Sequence, residues 1–426
     1  MKNLLKPLSL ALFVAATLLM QNACNRTSPS SNPPTQSAHT QTSPPSDTLP
    51  ATGPSPYFCK AIGGPAGEAG KSLIQTSDGG YAIAGTTTSF GAGGWDVYVV
   101  KLDANGNLQL TKTIDGQASE EGNSLIQTSD GGYAITGSYD IVDGEVYTGD
   151  VYVVKLDAKG NLQWTKTIGG PGYEEGRSLI QTSDGGYAIA GSTTSFGAGK
   201  DDVYVVKLDA NGNLQWTKTI GGPGNEAGYS LIQTSDGGYV IAGATYSFGT
   251  GSSDVYSDVY VIKLDANGNL QWTKTIGGKY HDLGHSIIQT SDGGYAITGP
   301  TESFGAGWED VYVVKLDANG NLQWTKTIGG TKSKGIPLLG IHAHDDIIQT
   351  SDGGYAITGK TGSFGADVYV VKLDKNGDAC CAVSQTSQVG SGGRLRSANS
   401  SIGSGGTLTS PTPTTSSGGT LTNQCP

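Results

Sequence analysis

The sequence predicts an all-β fold: a six-bladed β-propeller of four-stranded antiparallel blades, closed by an N-terminal strand. The first observation is a repeat of Ser-Asp-Gly-Gly-Tyr, whose aspartates are Asp78, Asp130, Asp184, Asp236, Asp292 and Asp352. Spacings of 52 to 60 residues between these aspartates are typical of propellers and solenoids. The second observation is composition, because 67 glycines and 20 tyrosines favour short strands and tight turns over helices.

Each repeat contains four β-prone runs separated by turn signals. In the third repeat the runs cover 178–183, 187–191, 202–209 and 213–220. Asp-Gly-Gly and Asn-Gly between them supply the positive φ angles that hairpins require. The third run is apolar on both alternating faces, which predicts a strand buried between stacked sheets, as in propeller blades. Six repeats of four strands give six blades.

The two ends of the repeat array predict how the ring closes. Phe58 to Gly64 aligns with the fourth run of the other repeats, whereas the sixth repeat lacks a good fourth run after Asp374. We therefore expect the N-terminal strand to complete the last blade, which would satisfy an otherwise unpaired edge. Cys59 would then lie beside Cys380 and Cys381, predicting a disulfide to one of them. The other cysteine could pair with Cys425 through the tail.

Both ends of the chain are compositionally distinct. Residues 1–24 have two lysines, an apolar run and a small residue before Cys24, as in a lipoprotein-type signal peptide whose cysteine is lipidated. Ordinary cleavage and an uncleaved anchor are the alternatives. We expect a disordered Ser/Pro/Thr linker at 25–56, the propeller at 57–383, and a disordered Ser/Gly/Thr-rich tail at 384–426.

Six equivalent positions, one in each repeat, predict an acidic ring. Each precedes the first run of its repeat, where the connection from the preceding blade reaches the central channel. Such a ring would bind a cation or a polar ligand, although carboxylates that merely accept hydrogen bonds from loop amides would give the same pattern. The ring residues are Glu68, Glu120, Glu174, Glu226, Asp282 and His342.

Four of the five histidines fall in the fifth and sixth of these loops. Imidazoles accompanied by carboxylates can ligate zinc or nickel, so a divalent cation is the one cofactor that the residues suggest. Solvated loop histidines are the alternative. The candidate metal ligands are His281, His285, His342, His344 and Asp345.

Charge and motifs exclude several functions. The formal net charge of −11 argues against nucleic acid as a partner. No Gly-x-Ser-x-Gly, Cys–His or phosphate-loop motif supports nucleophilic catalysis, so we predict no catalytic residues.

Trp95 and Trp308 lie in loops at the end of the blades that carries the acidic ring. Aromatic rings beside carboxylates often form sugar-binding surfaces, but packing under the loops is equally consistent.

The repeat resembles those of bacterial and archaeal surface propeller-repeat proteins, on Asp-Gly-Gly-Tyr and Asp-Val-Tyr-Val-Val-Lys-Leu-Asp. The run 208–216 is also similar to the Asp-Ala…Gly…Trp strand of quinoprotein-like propellers, which include an outer-membrane assembly lipoprotein. Here the Asp-to-Trp spacing is one residue shorter, and Leu110 replaces the tryptophan in the first repeat. The resemblance therefore implies the fold and a scaffold role, and we expect no quinone.

These observations predict a non-enzymatic lipoprotein of the cell surface or envelope that provides a binding scaffold. The alternatives are a polysaccharide-active hydrolase or lyase, which would use Glu174, Glu226 and the histidine cluster, and a cation-binding propeller. An envelope protein or a glycan is the expected partner, the membrane is reached through Cys24, and the chain is expected to be monomeric. A secreted protein is the alternative to the anchored one.

Overall fold

The structure is a computed structural model. It describes residues 58, 60–92, 94–116, 118–143, 146–249, 255–305, 310–329, 346–361, 367–379, 388–390, 394–397, 401–403, 407–409, 414–416 and 420–423. The five cysteines lie outside these ranges, so the predicted lipidation and disulfides remain predictions.

The described residues form strands joined by turns and bends. Up to the last repeat, the strands are β1 (Lys60–Gly63), β2 (Glu68–Gln75), β3 (Tyr81–Thr87), β4 (Asp96–Leu102), β5 (Leu108–Asp115), β6 (Ser119–Glu120), β7 (Ser124–Gln127), β8 (Tyr133–Asp143), β9 (Val146–Leu156), β10 (Leu162–Gly169), β11 (Glu174–Gln181), β12 (Tyr187–Thr193), β13 (Asp202–Leu208), β14 (Leu214–Gly221), β15 (Glu226–Gln233), β16 (Tyr239–Thr245), β17 (Asp258–Leu264), β18 (Leu270–Gly277), β19 (Ser286–Gln289), β20 (Tyr295–Thr301), β21 (Asp310–Leu316), β22 (Leu322–Gly329), β23 (Asp346–Gln349), β24 (Tyr355–Thr361) and β25 (Asp367–Leu373). After them come β26 (Gln388–Gly390), β27 (Arg394–Ser397), β28 (Ser401–Gly403), β29 (Thr407–Thr409), β30 (Thr414–Ser416) and β31 (Thr420–Asn423).

Each repeat forms one antiparallel sheet, which we call a blade and number in chain order. Blades 1 to 5 each contain the four strands of their repeat, and blade 6 contains β23, β24 and β25. In blade 2 the first strand is divided into β6 and β7. The predicted all-β propeller of four-stranded antiparallel blades is confirmed. Among the described residues, none belongs to a helix of the length and apolar character needed to cross a membrane.

The turns within a blade follow from the residues that the repeat supplies. Gly185 and Gly212 adopt φ angles of 81° and 77°, which an L side chain rarely adopts. Asp184 Oδ1 accepts a hydrogen bond from Gly186 N at 2.9 Å, and Asp209 Oδ1 accepts one from Asn211 N at 2.8 Å. Short polar side chains thus satisfy the turn amides and fix the register of the hairpins.

The core lies between neighbouring blades. Every residue of the third strand β13 is buried, as its two apolar faces predict. Val203 and Val205 of blade 3 pack in one cluster with Tyr239, Ile241 and other residues of blade 4. Since each blade offers one face to the blade before it and the other to the blade after it, the same junction recurs along the chain.

In blades 1 to 5 a buried lysine on the third strand is neutralised by the turn aspartate of its own blade. Lys207 is 2% exposed, and its Nζ lies 2.9 Å from Asp184 Oδ2 and 3.0 Å from Leu208 O. Burial acts to raise the pKa of Asp184, but hydrogen bonds from Thr182 and Lys207 outweigh it and lower this pKa to about 2. The repeated Ser-Asp-Gly-Gly is therefore both a turn and the counter-charge for a core lysine.

The two terminal blades each present an exposed apolar face. Leu73 of blade 1 is 65% exposed, whereas its equivalent Leu179 is 3% exposed. In blade 6, Ile348 and Val370 are 58% and 72% exposed. These are positions that the junctions between other blades cover, so blade 1 lacks a preceding neighbour and blade 6 a following one among the described residues.

The predicted closure by the N-terminal strand is wrong in the described structure. β1 pairs with β31 in a two-stranded sheet, and the sheet of blade 6 ends at β25. β1 has four residues, whereas the fourth strands of the other blades have eight, so it reproduces only part of the fourth-strand pattern.

The C-terminal stretch, for which the composition predicts disorder, contains short strands that depart from this expectation. β26 to β30 each add a fifth strand to the outer edge of a blade, in reverse order from blade 5 to blade 1. An outer edge exposes unpaired backbone groups that any extended segment can satisfy, whatever its side chains, which explains why composition alone missed these strands.

Candidate functional site

The first strands of successive blades lie side by side as the innermost strands. Ser178 Oγ of blade 3 accepts a hydrogen bond from Leu231 N of blade 4 at 3.0 Å. The same contact joins Ser124 to Leu179 at 3.2 Å. The residue before this serine therefore lies next to the equivalent residues of the neighbouring blades.

That residue differs in every described blade, although the residues around it are near copies. The sequence Ser-Leu-Ile-Gln or Ser-Ile-Ile-Gln follows it in blades 1 to 5. The sixth equivalent, Asp345, lies outside the described residues. We call the five described residues the inner-strand series: Lys71, Asn123, Arg177, Tyr229 and His285.

The members of the inner-strand series contact one another, partly through two glutamates. Asn123 Nδ2 donates to Glu175 Oε1 at 3.0 Å, and Arg177 forms an ion pair with the same carboxylate at 3.0 Å. The Arg177 guanidinium lies 5.1 Å from the ring centre of Tyr229, within the range of a cation–π interaction. Tyr229 in turn meets His285 edge to face, with ring centres 5.3 Å apart.

The other glutamate extends the contacts to blade 1. Lys71 Nζ lies 2.5 Å from Glu121 Oε2 and 2.8 Å from Asn123 Oδ1. Both side chains of the ion pair are about 30% exposed, at 31% for Lys71 and 30% for Glu121. Charged, polar and aromatic groups therefore run continuously across five blades. Lys71, Glu121 and Arg177 remain accessible, whereas His285 is buried.

Sequence reasoning missed the inner-strand series because it looked for residues that recur. The sequence does contain a signal for the series: the residue before each Ser-Leu-Ile-Gln differs from repeat to repeat, whereas the residues around it are nearly identical. A position that diverges inside duplicated units is where the blades acquire different chemistry.

The predicted acidic ring is not exposed at a channel mouth. Glu120, Glu174, Glu226 and Asp282 are at most 1% exposed, and Glu68 is half-buried. His342 lies outside the described residues. The predicted exposure of these four residues is therefore wrong, whereas binding of a cation or ligand by the ring stays a prediction.

Hydrogen bonds to the loop account for this burial. Glu174 Oε2 accepts from Gly170 N at 2.7 Å. Glu174 Oε1 accepts from Thr193 Oγ1 at 2.7 Å and from Ser195 N at 3.1 Å. Because buried loop amides require acceptors, one carboxylate at this position holds the connection between blades in place.

A second carboxyl group faces each of these residues across the blade junction. A methyl group on Gly221 would collide with both Asp202 Oδ1 and Glu226 Oε2, so these two oxygens lie beside the same small space. Asp202 Oδ2 accepts hydrogen bonds from Ala198 N and Gly199 N, whereas its buried Oδ1 has no donor. Equivalent pairs are Asp96 with Glu120, Asp150 with Glu174, and Asp258 with Asp282.

Burial raises the pKa of three carboxyl groups in these pairs towards neutral pH. Burial, followed by the charge of Glu120, raises the pKa of Asp96 to about 7, and burial raises the pKa of Glu120 to about 7 as well. Burial and then Glu174 raise the pKa of Asp150 to about 6. Asp96 and Glu120 are also joined by a hydrogen bond, so this pair shares a proton and titrates as a unit.

The predicted metal ligands are only partly described. His281 Nδ1 accepts from Ser257 N at 3.2 Å, and the His281 ring meets Tyr246 and Tyr256. His285 instead packs on Tyr229. Within the described ranges no group of three or more His, Cys, Asp or Glu side chains is placed to hold a metal ion. His342, His344 and Asp345 lie outside them, so the site remains a prediction.

Comparisons with known proteins agree with this architecture. Residues 74–299 and 149–337, together more than half of the chain, match the family described as outer membrane protein assembly factor BamB. The regulatory protein FlaEY of Caulobacter vibrioides is 27% identical over 285 residues, which cover 60% of this chain and 29% of that protein. The chain therefore spans less than a third of this relative.

Two solved structures share a weaker likeness. Sqt1 from Chaetomium thermophilum has a TM-score of 0.41 and 12% identity, over 75% of this chain and 72% of that one. A variant of the NanB sialidase from Streptococcus pneumoniae has a TM-score of 0.40 and 11% identity, over 77% and 72%. We draw no functional conclusion from either. By its sequence match over most of the repeats and its all-β blades, the chain belongs to the BamB-like family of quinoprotein-type β-propellers.

Proposed function

We propose that this chain is a non-enzymatic, exported propeller of the bacterial envelope that binds a ligand or partner through the inner-strand series. The observation that carries the proposal is the divergence of this series, because five blades with otherwise copied inner strands carry Lys, Asn, Arg, Tyr and His at one position. A purely structural role would favour the same residue in each copy. Contacts among these side chains fix their orientation before any partner arrives, which reduces the entropy lost on binding.

The hydrolase or lyase alternative gains no support from the site. Glu174 and Glu226, on which it rests, are at most 1% exposed, and loop donors already occupy their oxygens. A general acid or base must come within hydrogen-bond reach of a substrate. The two accessible glutamates beside the inner-strand series, Glu121 and Glu175, are held in ion pairs.

Capture of the partner tests the proposal. A photo-crosslinking amino acid at Tyr229 of the full chain, expressed in its own envelope, is expected to crosslink to a discrete envelope component. An Arg177→Ala substitution is expected to reduce that crosslink at least tenfold. The same probe at Asn211, in a turn at the opposite end of the blades, serves as the matched control. Equal, diffuse labelling from both positions would contradict binding at the inner-strand series.

Anchoring is a separate part of the proposal. The family description places its namesake at the outer membrane, and the sequence before Cys24 resembles a lipoprotein signal. Mass spectrometry of the mature N-terminus is expected to find Cys24 as the first residue, carrying acyl chains. A mature chain that begins elsewhere, or with an unmodified thiol, would exclude lipid anchoring and leave the binding proposal intact.

A further inference from the structure

Blade 2 departs from the repeat in the length of one hairpin. Its strands β8 and β9 have 11 residues each, whereas the second and third strands of blade 3 have seven. The register continues through the additional residues, with Asp140 opposite Gly149. The extension carries Asp140 and Tyr147 past the end of the sheet, at the end of the blades where Glu120 and Glu121 lie.

The extension creates a rigid aromatic surface, which we call the tyrosine shelf (Tyr147 and Tyr173). The two rings stack with centres 5.3 Å apart and planes inclined by 20°. Tyr147 is 56% exposed, and its hydroxyl donates to Asp140 Oδ2 at 2.9 Å. A methyl group on Gly149 would lie 2.7 Å from the Tyr173 ring, so only glycine allows this packing. The exposed ring is therefore held in one orientation without a ligand.

Glu121 and Glu175, the ion-pair partners of Lys71 and Arg177, flank the shelf. Glu121 N donates to Ser138 O at 3.0 Å, which joins the backbone beside Glu121 to strand β8, two residues before Asp140. Glu175 lies two residues after Tyr173 in the chain, so the backbone places both glutamates beside the shelf. Burial raises the pKa of Asp140, and the charges of Glu121 and Glu175 add to this shift. The shelf thus continues directly into the accessible polar side chains of blades 1 to 3.

The two accessible glutamates beside the shelf are already neutralised. Lys71 neutralises Glu121, and Arg177 neutralises Glu175. An ionic ligand would have to break one of these pairs, and an apolar ligand would bury polar groups without supplying partners for them. A neutral ligand with many hydroxyl groups avoids both costs, because its hydroxyls can donate to the carboxylates and accept from Lys71 and Arg177 while the pairs stay intact.

We infer that the tyrosine shelf and the adjoining inner-strand residues bind a neutral polysaccharide chain. The apolar face of one sugar ring would lie on Tyr147, since an amphipathic aromatic ring offers apolar area beside a polar edge. Hydroxyl groups of the next sugars would reach Glu121, Lys71 and Arg177. The inference rests on the proposed function and specifies its ligand class.

Calorimetric titration of the mature chain tests the inference. The probes are neutral β-1,4-glucan, β-1,4-xylan and β-1,4-mannan hexasaccharides, with an oligogalacturonate of equal length as the charged comparison. We expect at least one neutral hexasaccharide to bind and the oligogalacturonate to bind at least tenfold more weakly. Tyr147→Ala should weaken binding of the neutral hexasaccharide at least tenfold. Tyr147→Phe keeps the ring but loses the Asp140 hydrogen bond, so it should weaken binding two- to fivefold.

Tyr280→Ala is the matched control, because Tyr280 is an exposed loop tyrosine of another blade at 38% exposure. It should bind like the wild type, and all variants should keep the wild-type melting temperature. Failure of every neutral hexasaccharide, or wild-type binding by Tyr147→Ala, would overturn the inference. A protein crosslinked at Tyr229 together with absent saccharide binding would leave the proposed function standing and reject only this ligand class.

Discussion

Asp202 and Glu226 bring two carboxyl groups together inside the junction between blades 3 and 4. Both side chains are at most 1% exposed. Glu226 accepts hydrogen bonds from Gly222 N, Thr245 Oγ1 and Ser247 N, whereas Asp202 Oδ1 faces Glu226 without a donor of its own. Burial raises the pKa of Asp202, and the charge of Glu226 adds to this shift, which favours a proton on Asp202.

In an Asp202→Asn variant, an amide N–H is expected to take the place of that proton at every pH. The asparagine oxygen can keep the hydrogen bonds from Ala198 N and Gly199 N, and its amide can donate to Glu226 Oε2. We expect the free energy of unfolding at pH 8 to rise by about 1 kcal/mol, the worth of one buried hydrogen bond, as measured by urea denaturation. Glu226→Gln is the control, since it lacks an acceptor for donors that Glu226 satisfies and should lose about 1–3 kcal/mol. An equal loss of unfolding free energy in the two variants would contradict a proton on Asp202 in the wild type.

The carboxyl pairs also predict how stability depends on pH. The pKa values of Asp96 and Glu120 are about 7 and that of Asp150 is about 6, whereas carboxyl groups of an unfolded chain titrate near pH 4. Between these values the folded chain holds protons that the unfolded chain has released, so stability falls as the pH rises from about 4 to about 7. Each proton that the folded chain retains over this range should contribute a slope of up to about 1.4 kcal/mol per pH unit.

Below pH 4 the opposite sign applies to the turn aspartates. Because the pKa of Asp184 is lowered to about 2, its contribution is lost as the pH falls from about 4 towards 2. We therefore expect a stability maximum near pH 4–5, measured as melting temperature across pH 3–9. The Asp96→Asn/Asp150→Asn double variant should have a flatter profile between pH 5 and 7. A wild-type maximum at pH 8 would be incompatible with protonated junctions.

The ion pair of Lys207 and Asp184 predicts an asymmetric response to mutation. Asp184→Asn keeps the turn acceptor but leaves the ammonium of Lys207 buried without its counter-charge. We expect a loss of about 2 kcal/mol, less than the 3–5 kcal/mol of a fully buried pair because the Asp184 side chain is 54% exposed. Lys207→Met removes the buried charge and leaves Asp184 in water, so its cost should stay within about 1 kcal/mol. Chemical denaturation of both variants measures the difference, and a larger loss for Lys207→Met would contradict it.

The sequence predicts those features of the structure that are specified by residues close together in the chain. The four strands and two turns of each repeat follow from Asp-Gly-Gly, Asn-Gly and the apolar third run, because those signals act within a few residues. The burial of Glu174 was not predictable in this way, since its loop donors are brought together only when the blades stack. The exposed hairpin that carries Tyr147 was not predicted, because the additional residues of the second repeat do not by themselves specify that both strands lengthen. The pairing of β1 with β31 depends on two segments more than 350 residues apart, which no local pattern specifies.

The exposed face of blade 1 gives a direct test of how the ring ends. Leu73 and Leu179 occupy the same position of the repeat, but they are 65% and 3% exposed. Leu179→Ala should therefore cost about 2–5 kcal/mol, because it leaves a cavity between blades 2 and 3, whereas Leu73→Ala should cost less than about 1 kcal/mol. Parallel urea denaturation of the two variants in the full chain measures both values. If Leu73→Ala lost as much stability as Leu179→Ala, another blade would have to cover blade 1 in solution, and the ring would be closed there.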